Sequence, residues 1–159
     1  MSLTRREIVD LIPHGESMCM LDEVVSWDSE HIHCRSTDFA RASNPLFEKD
    51  QLHSVMLIEY AAQAAAVHAA LLHSKLGESR PAYLGAVKSV ELLESAVDNN
   101  TPIDIDAHCL LNNSSGAIYE VLAQQGQQPV MRGRLFTCTG PDAYSSVDLF
   151  DTLAPRLAG

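Results

Sequence analysis

Glu59 and Gln63 are the residues whose types and spacing most plainly could do chemistry. They stand four apart, so on a helix they share one face. Their neighbours Met56, Ile58, Tyr60 and Ala62 are apolar. A carboxylate in such surroundings is costly unless it is paired, hydrogen-bonded or protonated. Two readings follow. The pair can be a satisfied polar contact that fixes helix register. Alternatively, Glu59 can be a general acid or base, its pKa raised by desolvation above the ordinary value of about 4.3. A second constellation, His31 and His33, has the period of two that places both rings on one face of a strand. No cysteine or carboxylate at a diagnostic spacing accompanies them, so no metal site is expected.

The element that must position Glu59 is the stretch 52–72. Val55 to Leu72 holds no Gly and no Pro, and alanine, the best helix former, dominates it. Ser54 is suited to cap it. Apolar residues surround the helix instead of forming one stripe, which predicts burial on nearly every side. Glu59, Gln63 and His68 interrupt the apolar run, so a membrane span is not expected. His68 reads as a satisfied buried histidine.

The 159 residues suit a single domain, with a core over about 5–139 and a tail over 140–159. A net charge of −10 argues against binding nucleic acid, which needs Lys and Arg at phosphates. Cys19, Cys34, Cys109 and Cys138 lie far apart with no CxxC, which predicts buried free thiols. The N-terminal residues show no apolar signal core, so a cytoplasmic protein is expected.

Along the chain, Thr4 and Glu7 form a capping-box pattern ahead of a short helix to Leu11. Residues 12–15 read as a turn, and Met18–Trp27 and Glu30–Phe39 as strands. Residues 40–51 read as a loop whose Pro45-Leu46-Phe47 needs cover. After the helix, strands are expected over 82–93, 103–111, 117–124 and 130–139, with a short helix around 147–153. One sheet cannot cover a helix that is apolar all round. Either the sheet curls, or a second copy helps, so an α+β fold that dimerises is predicted.

This order resembles the hotdog fold, a long central helix wrapped by a curved antiparallel sheet. Leu11-Ile12-Pro13-His14-Gly15, with Leu21-Asp22-Glu23-Val24 after it, resembles the N-terminal segment of the 3-hydroxyacyl-acyl-carrier-protein dehydratases. Ile58-Glu59-Tyr60-Ala61-Ala62-Gln63 resembles their Glu-Ala-x-Ala-Gln. The likeness is nearest to the accessory dehydratase-like proteins of aryl-polyene gene clusters.

The resemblance implies that Glu59 protonates a leaving hydroxyl. Ser54 falls where the family's glycine polarises the thioester carbonyl through its backbone N–H, and Gln63 falls on the motif's glutamine, a structural hydrogen-bonder; these two are the expected substrate-binding residues. The family's loop histidine is missing, because Leu52-His53-Ser54 replaces Met-Pro-Gly; His53 is the candidate relocated base. His14 reads as structural. The implied partners are an acyl-carrier-protein or coenzyme A thioester and a second hotdog chain in a homo- or heterodimer. No cofactor is implied. A non-catalytic subunit completing a partner dehydratase, and a hotdog thioesterase, are the competing functions. Carrier proteins are acidic, and the chain's 11 Lys and Arg leave only Arg80, Lys88, Arg132 and Arg134 as a small basic patch.

Overall fold

The computed structural model describes residues 2–12, 15–75 and 82–139. The helix α1 (Arg5–Leu11) starts on the predicted capping box: the Thr4 side chain accepts from the Glu7 N–H, and the Glu7 carboxylate takes the Thr4 N–H at 2.7 Å. Thr4 also belongs to a two-residue strand, β1 (Leu3–Thr4). A one-turn helix α2 (Gly15–Met18) precedes β2 (Glu23–Trp27) and β3 (His31–Ser36).

A single 3-10 turn over Ser54–Met56 leads into the long helix α3 (Leu57–Lys75). Four strands follow: β4 (Ala82–Leu92), β5 (Ile103–Asn113), β6 (Gly116–Gln125) and β7 (Gln128–Thr139). The strands form one antiparallel sheet in the order β1-β2-β3-β5-β6-β7-β4.

The helix α3 touches β3, β4, β5, β6 and β7. Five strands at about 4.8 Å spacing span roughly 19 Å, more than a helix's 10–12 Å width, so the sheet curls around it. That is the α+β, hotdog-type arrangement the sequence predicts. Alternate residues of the strands (Ile32 and Cys34, Ile103 and Ile105, Tyr119 and Val121) face the helix and are buried. Cys19, Cys34 and Cys138 are buried free thiols and Cys109 is half-buried.

Four expectations are corrected. Met18–Cys19–Met20 is not strand: Gln63 takes the Met18 carbonyl and the Met20 N–H, and Glu16 and Arg41 take the backbone groups of Cys19. The second strand ends at Ser36, and Phe39 sits in a turn. Ser54 is not the cap. His53 holds that position without a side-chain bond, because 52–54 runs against 95–97 through Ser54 N–H to Ser95 O and Val97 N–H to Leu52 O, both 3.0 Å. Gln128 and Pro129 belong to β7 and not to the turn before it.

Nor does α3 need a second copy for its middle. Residues 60–69 are buried within one chain, by the sheet on one side and by the 18–21 and 39–52 segments on the other. Leu46 and Phe47 also pack on this core. Although 54–74 is long and apolar enough to cross a bilayer by composition, it is largely buried as the core helix. His14, Arg80 and the helix expected around 147–153 lie outside the described residues.

Candidate active site around Glu59

The site is built on one side chain that is entirely buried. Gln63 donates from Nε2 to the Met18 carbonyl at 2.7 Å and to Glu59 Oε1 at 3.0 Å, while its Oε1 accepts the Met20 N–H at 2.8 Å. Both amide protons and the carbonyl oxygen are therefore used. The arrangement welds the chain ahead of β2 to the helix and fixes the half-buried Glu59 carboxyl.

Asp22 holds the next layer. Its Oδ2 accepts the N–H groups of Thr37 (2.7 Å) and Asp38 (2.9 Å), and its Oδ1 takes Arg5 Nη1 at 3.3 Å. Arg41 returns from the loop to the Cys19 carbonyl at 2.8 Å. The loop is pinned to α3 by buried Asn44, which donates to the Phe39 carbonyl at 2.7 Å and to the Tyr60 hydroxyl at 3.1 Å, and accepts the Leu46 N–H. Burial pushes the Tyr60 hydroxyl up to about 12, against the opposing Asn44 bond, so it stays neutral. Sequence reasoning gave Asp22 and Asn44 no role. For Asp22 the signal was its place in Leu21-Asp22-Glu23-Val24; for Asn44 it was an Asn-Pro step ahead of an apolar pair.

His53 is exposed at the entry to the 3-10 turn, six residues before Glu59 in sequence. Ser54 is buried, and its N–H, the group implied as a carbonyl-polarising donor, donates to Ser95 O in this structure.

His68 is satisfied, as expected. Its Nε2 lies 2.7 Å from the Asp28 carbonyl, which can only accept, so Nε2 carries the proton and Nδ1 accepts from the Tyr119 hydroxyl at 2.7 Å. Burial lowers its pKa. Of the expected basic patch, Arg132 is engaged: its Nε and Nη2 both donate to Glu91 Oε2, at 3.1 and 2.8 Å. His33 and Arg35 share Asp104 Oδ1, at 2.8 and 3.0 Å.

Among solved structures, the chain is similar to the dehydratase heterocomplex ApeI:P from Xenorhabdus doucetiae. The two share 21% identity, with 91% of this chain and 97% of that one covered at a TM-score of 0.78. A thioesterase from Haemophilus influenzae is similar at 10% identity and a TM-score of 0.63, covering 87% of this chain and 91% of that one. A thioesterase mutant from Pseudomonas aeruginosa follows at 10% identity and 0.57, covering 73% and 78%. These likenesses establish the hotdog fold. No curated protein matches the chain significantly. The family model described as ApeP dehydratase matches residues 6–148, nine-tenths of the sequence and the whole of the Glu59 site, so the chain belongs to the ApeP-like dehydratase family.

Proposed function

We propose that this chain dehydrates 3-hydroxyacyl thioesters, with Glu59 as the proton donor, as one subunit of a heteromeric dehydratase. The observation that carries the reading is the Glu59 carboxyl, half-buried on the core helix and steadied by the Gln63 amide at 3.0 Å. In this chemistry a base takes the α-proton, Glu59 gives a proton to the β-hydroxyl, and that oxygen leaves as water, producing the 2-enoyl thioester. The proton taken by the base balances the one given by Glu59.

The base is the missing half. His53 is exposed at the start of the 3-10 turn that leads into the Glu59 helix, and is the candidate within this chain. A histidine from a second hotdog chain meets the same need. The similar complex from Xenorhabdus, a dehydratase heterocomplex, supports this arrangement. We place Ser54 at the thioester end of the site, where its N–H would exchange Ser95 O for the substrate carbonyl. An acyl-carrier-protein thioester in a fatty-acid or polyene type of biosynthesis is the substrate class we favour. A basic partner subunit would supply the docking charge that a chain of net charge −10 lacks.

Leu84, Val87, Leu92 and Leu93, on or just after the edge strand β4, are each more than a third exposed. An apolar edge of this length suits pairing with another chain. A thioesterase is the second reading, supported by the thioesterases of similar fold; there Glu59 would activate water.

The deciding experiment measures hydration of a crotonyl thioester, and its hydrolysis, by the purified chain with and without a co-expressed hotdog partner carrying a histidine loop. Hydration that appears only with the partner is the expected result. Thioester hydrolysis by the chain alone would move the assignment to thioesterase.

A further inference from the structure

We propose that Glu30, His31 and His108 bind a divalent transition-metal ion of the zinc class on the outer face of the sheet, away from the helix that carries Glu59. The sequence offers His31 and His33 as the pair to consider, and they share the outer face of β3, but each has a different partner on β5. His33 is taken by Asp104 at 2.8 Å. His31 instead lies directly opposite His108 in the β3–β5 ladder.

Directly opposed residues in an antiparallel pair have Cβ atoms about 5 Å apart, within reach of one metal from two imidazoles. The two rings lie 4.2 Å apart and nearly parallel, at 9°. Glu30 supplies the third ligand, and one donor atom from each of the three residues lies within 4.8 Å of the others. Around a tetrahedral zinc with bonds of about 2.0–2.1 Å, donor atoms sit roughly 3.3 Å apart. Closure therefore needs at most about 1.5 Å of movement per pair, which side-chain rotation at this exposed position supplies.

The surroundings suit a metal. The backbone of Glu30 is fixed on both sides: its N–H donates to Asp28 Oδ1 at 2.8 Å, and its carbonyl accepts the Cys109 N–H at 2.7 Å. Asp28 Oδ1 also lies 3.7 Å from His31 Nδ1. That carboxylate stands beside the ring, near enough to orient it as the outer partners of ligating histidines do. Two nitrogens and one oxygen select zinc, cobalt, nickel or copper over calcium or magnesium, and leave the fourth position to water. His31 and His108 also line a concavity of about 680 Å³, so the fourth position faces open space. Bound there, the ion would clamp β3 to β5.

The test uses the full chain, stripped with chelator, and Co²⁺ as the probe. The expected result is saturable binding of one equivalent with visible d–d bands and no thiolate charge-transfer band, reversed by Zn²⁺, together with a raised melting temperature. His31→Gln and His108→Gln should each weaken binding roughly tenfold or more and remove the thermal shift, while His33→Gln leaves both unchanged. All three positions are at least partly exposed, and circular dichroism of the metal-free variants checks their folding. No saturable binding at millimolar Co²⁺, a thiolate band, or binding indifferent to either His31 or His108 would overturn the site. Since the readouts are spectroscopic and thermal, they are independent of the dehydratase assignment.

Discussion

The Gln63 carboxamide nitrogen lies 3.0 Å from Glu59 Oε1 and 2.7 Å from the Met18 carbonyl, so a single buried amide ties the candidate acid to the chain that leads into the sheet. The carboxyl is thereby held in one place on the core helix. A group that must give up a proton is served by that geometry.

Glu59→Gln keeps the volume and the carbonyl that accepts from Gln63, but it has no proton to deliver. In the complete assembly, hydration of a crotonyl thioester should fall by about 10²–10⁴-fold, the usual worth of a general acid. The melting temperature should stay nearly unchanged. A rate within about tenfold of wild type, roughly 1.4 kcal/mol of barrier, would remove Glu59 from the chemistry.

Gln63→Leu should behave in the opposite way. It strands the Met18 carbonyl and the Met20 N–H, and each buried unpaired group costs about 1–3 kcal/mol, so urea denaturation should show a loss of about 2–5 kcal/mol. A loss below about 1 kcal/mol would mean that the 18–20 segment is held by something else.

The Glu59–Gln63 relationship was legible because two polar residues four apart in an alanine-rich helix leave few alternatives. The segment it engages was not. Met18–Trp27 carries strand-like residues, and nothing local reveals that a side chain from residue 63 will occupy the backbone at 18 and 20. Ser54 failed as a cap for a similar reason: its N–H is claimed by Ser95, some forty residues away, and capping rules see only neighbours. His31 and His108 are adjacent only because β3 pairs with β5 and not with β4, a matter of topology. Asp22, with two backbone N–H groups and an arginine on it, shows the same limit.

His68 gives a pH dependence with a definite sign. Burial holds its native pKa below the ordinary 6.5, while the unfolded chain takes up a proton near that value. Its contribution to stability is complete above the unfolded pKa and is lost as pH falls toward the native one. The chain should therefore weaken on going from about pH 7 to pH 5, and His68→Gln, though less stable at neutral pH, should show a shallower slope. Equal slopes in urea midpoints across that range would assign the acid sensitivity to other groups.

Gly133 marks the place where β7 lies closest to the irregular part of β4. A Cβ there would stand 3.0 Å from Val90 Cγ2 and 3.2 Å from the Val90 Cα. The methyl of Val90 can turn, but its backbone cannot move without disturbing the bulge between Lys88 and Glu91, where Ser89 already adopts a φ of 55°. Gly133→Ala should cost about 1–3 kcal/mol, as overpacking does, and should loosen β4 first in hydrogen exchange. An unchanged urea midpoint would show that this edge yields freely.

The same edge should carry assembly. The sheet has two ends: β1, only two residues long, and β4, eleven residues with apolar side chains on its surface. A long edge with unpaired backbone groups and exposed Leu84 and Val87 pairs readily with another chain, and only Lys88 and Glu91 oppose this as charges within the exposed stretch. Replacing Leu84 and Val87 together with lysine buries no charge in the isolated subunit, because both positions are already exposed there. Fold and melting temperature should survive. In the assembly, the same lysines would lie against a partner and lose their water, so association should weaken by roughly tenfold or more, about 1.4 kcal/mol. Light scattering reads this directly: wild type, alone or with its hotdog partner, should travel as a dimer at micromolar concentration, and the double variant as a folded monomer. A wild-type chain already monomeric under both conditions would refute assembly, while a double variant that still dimerises would move the interface away from β4.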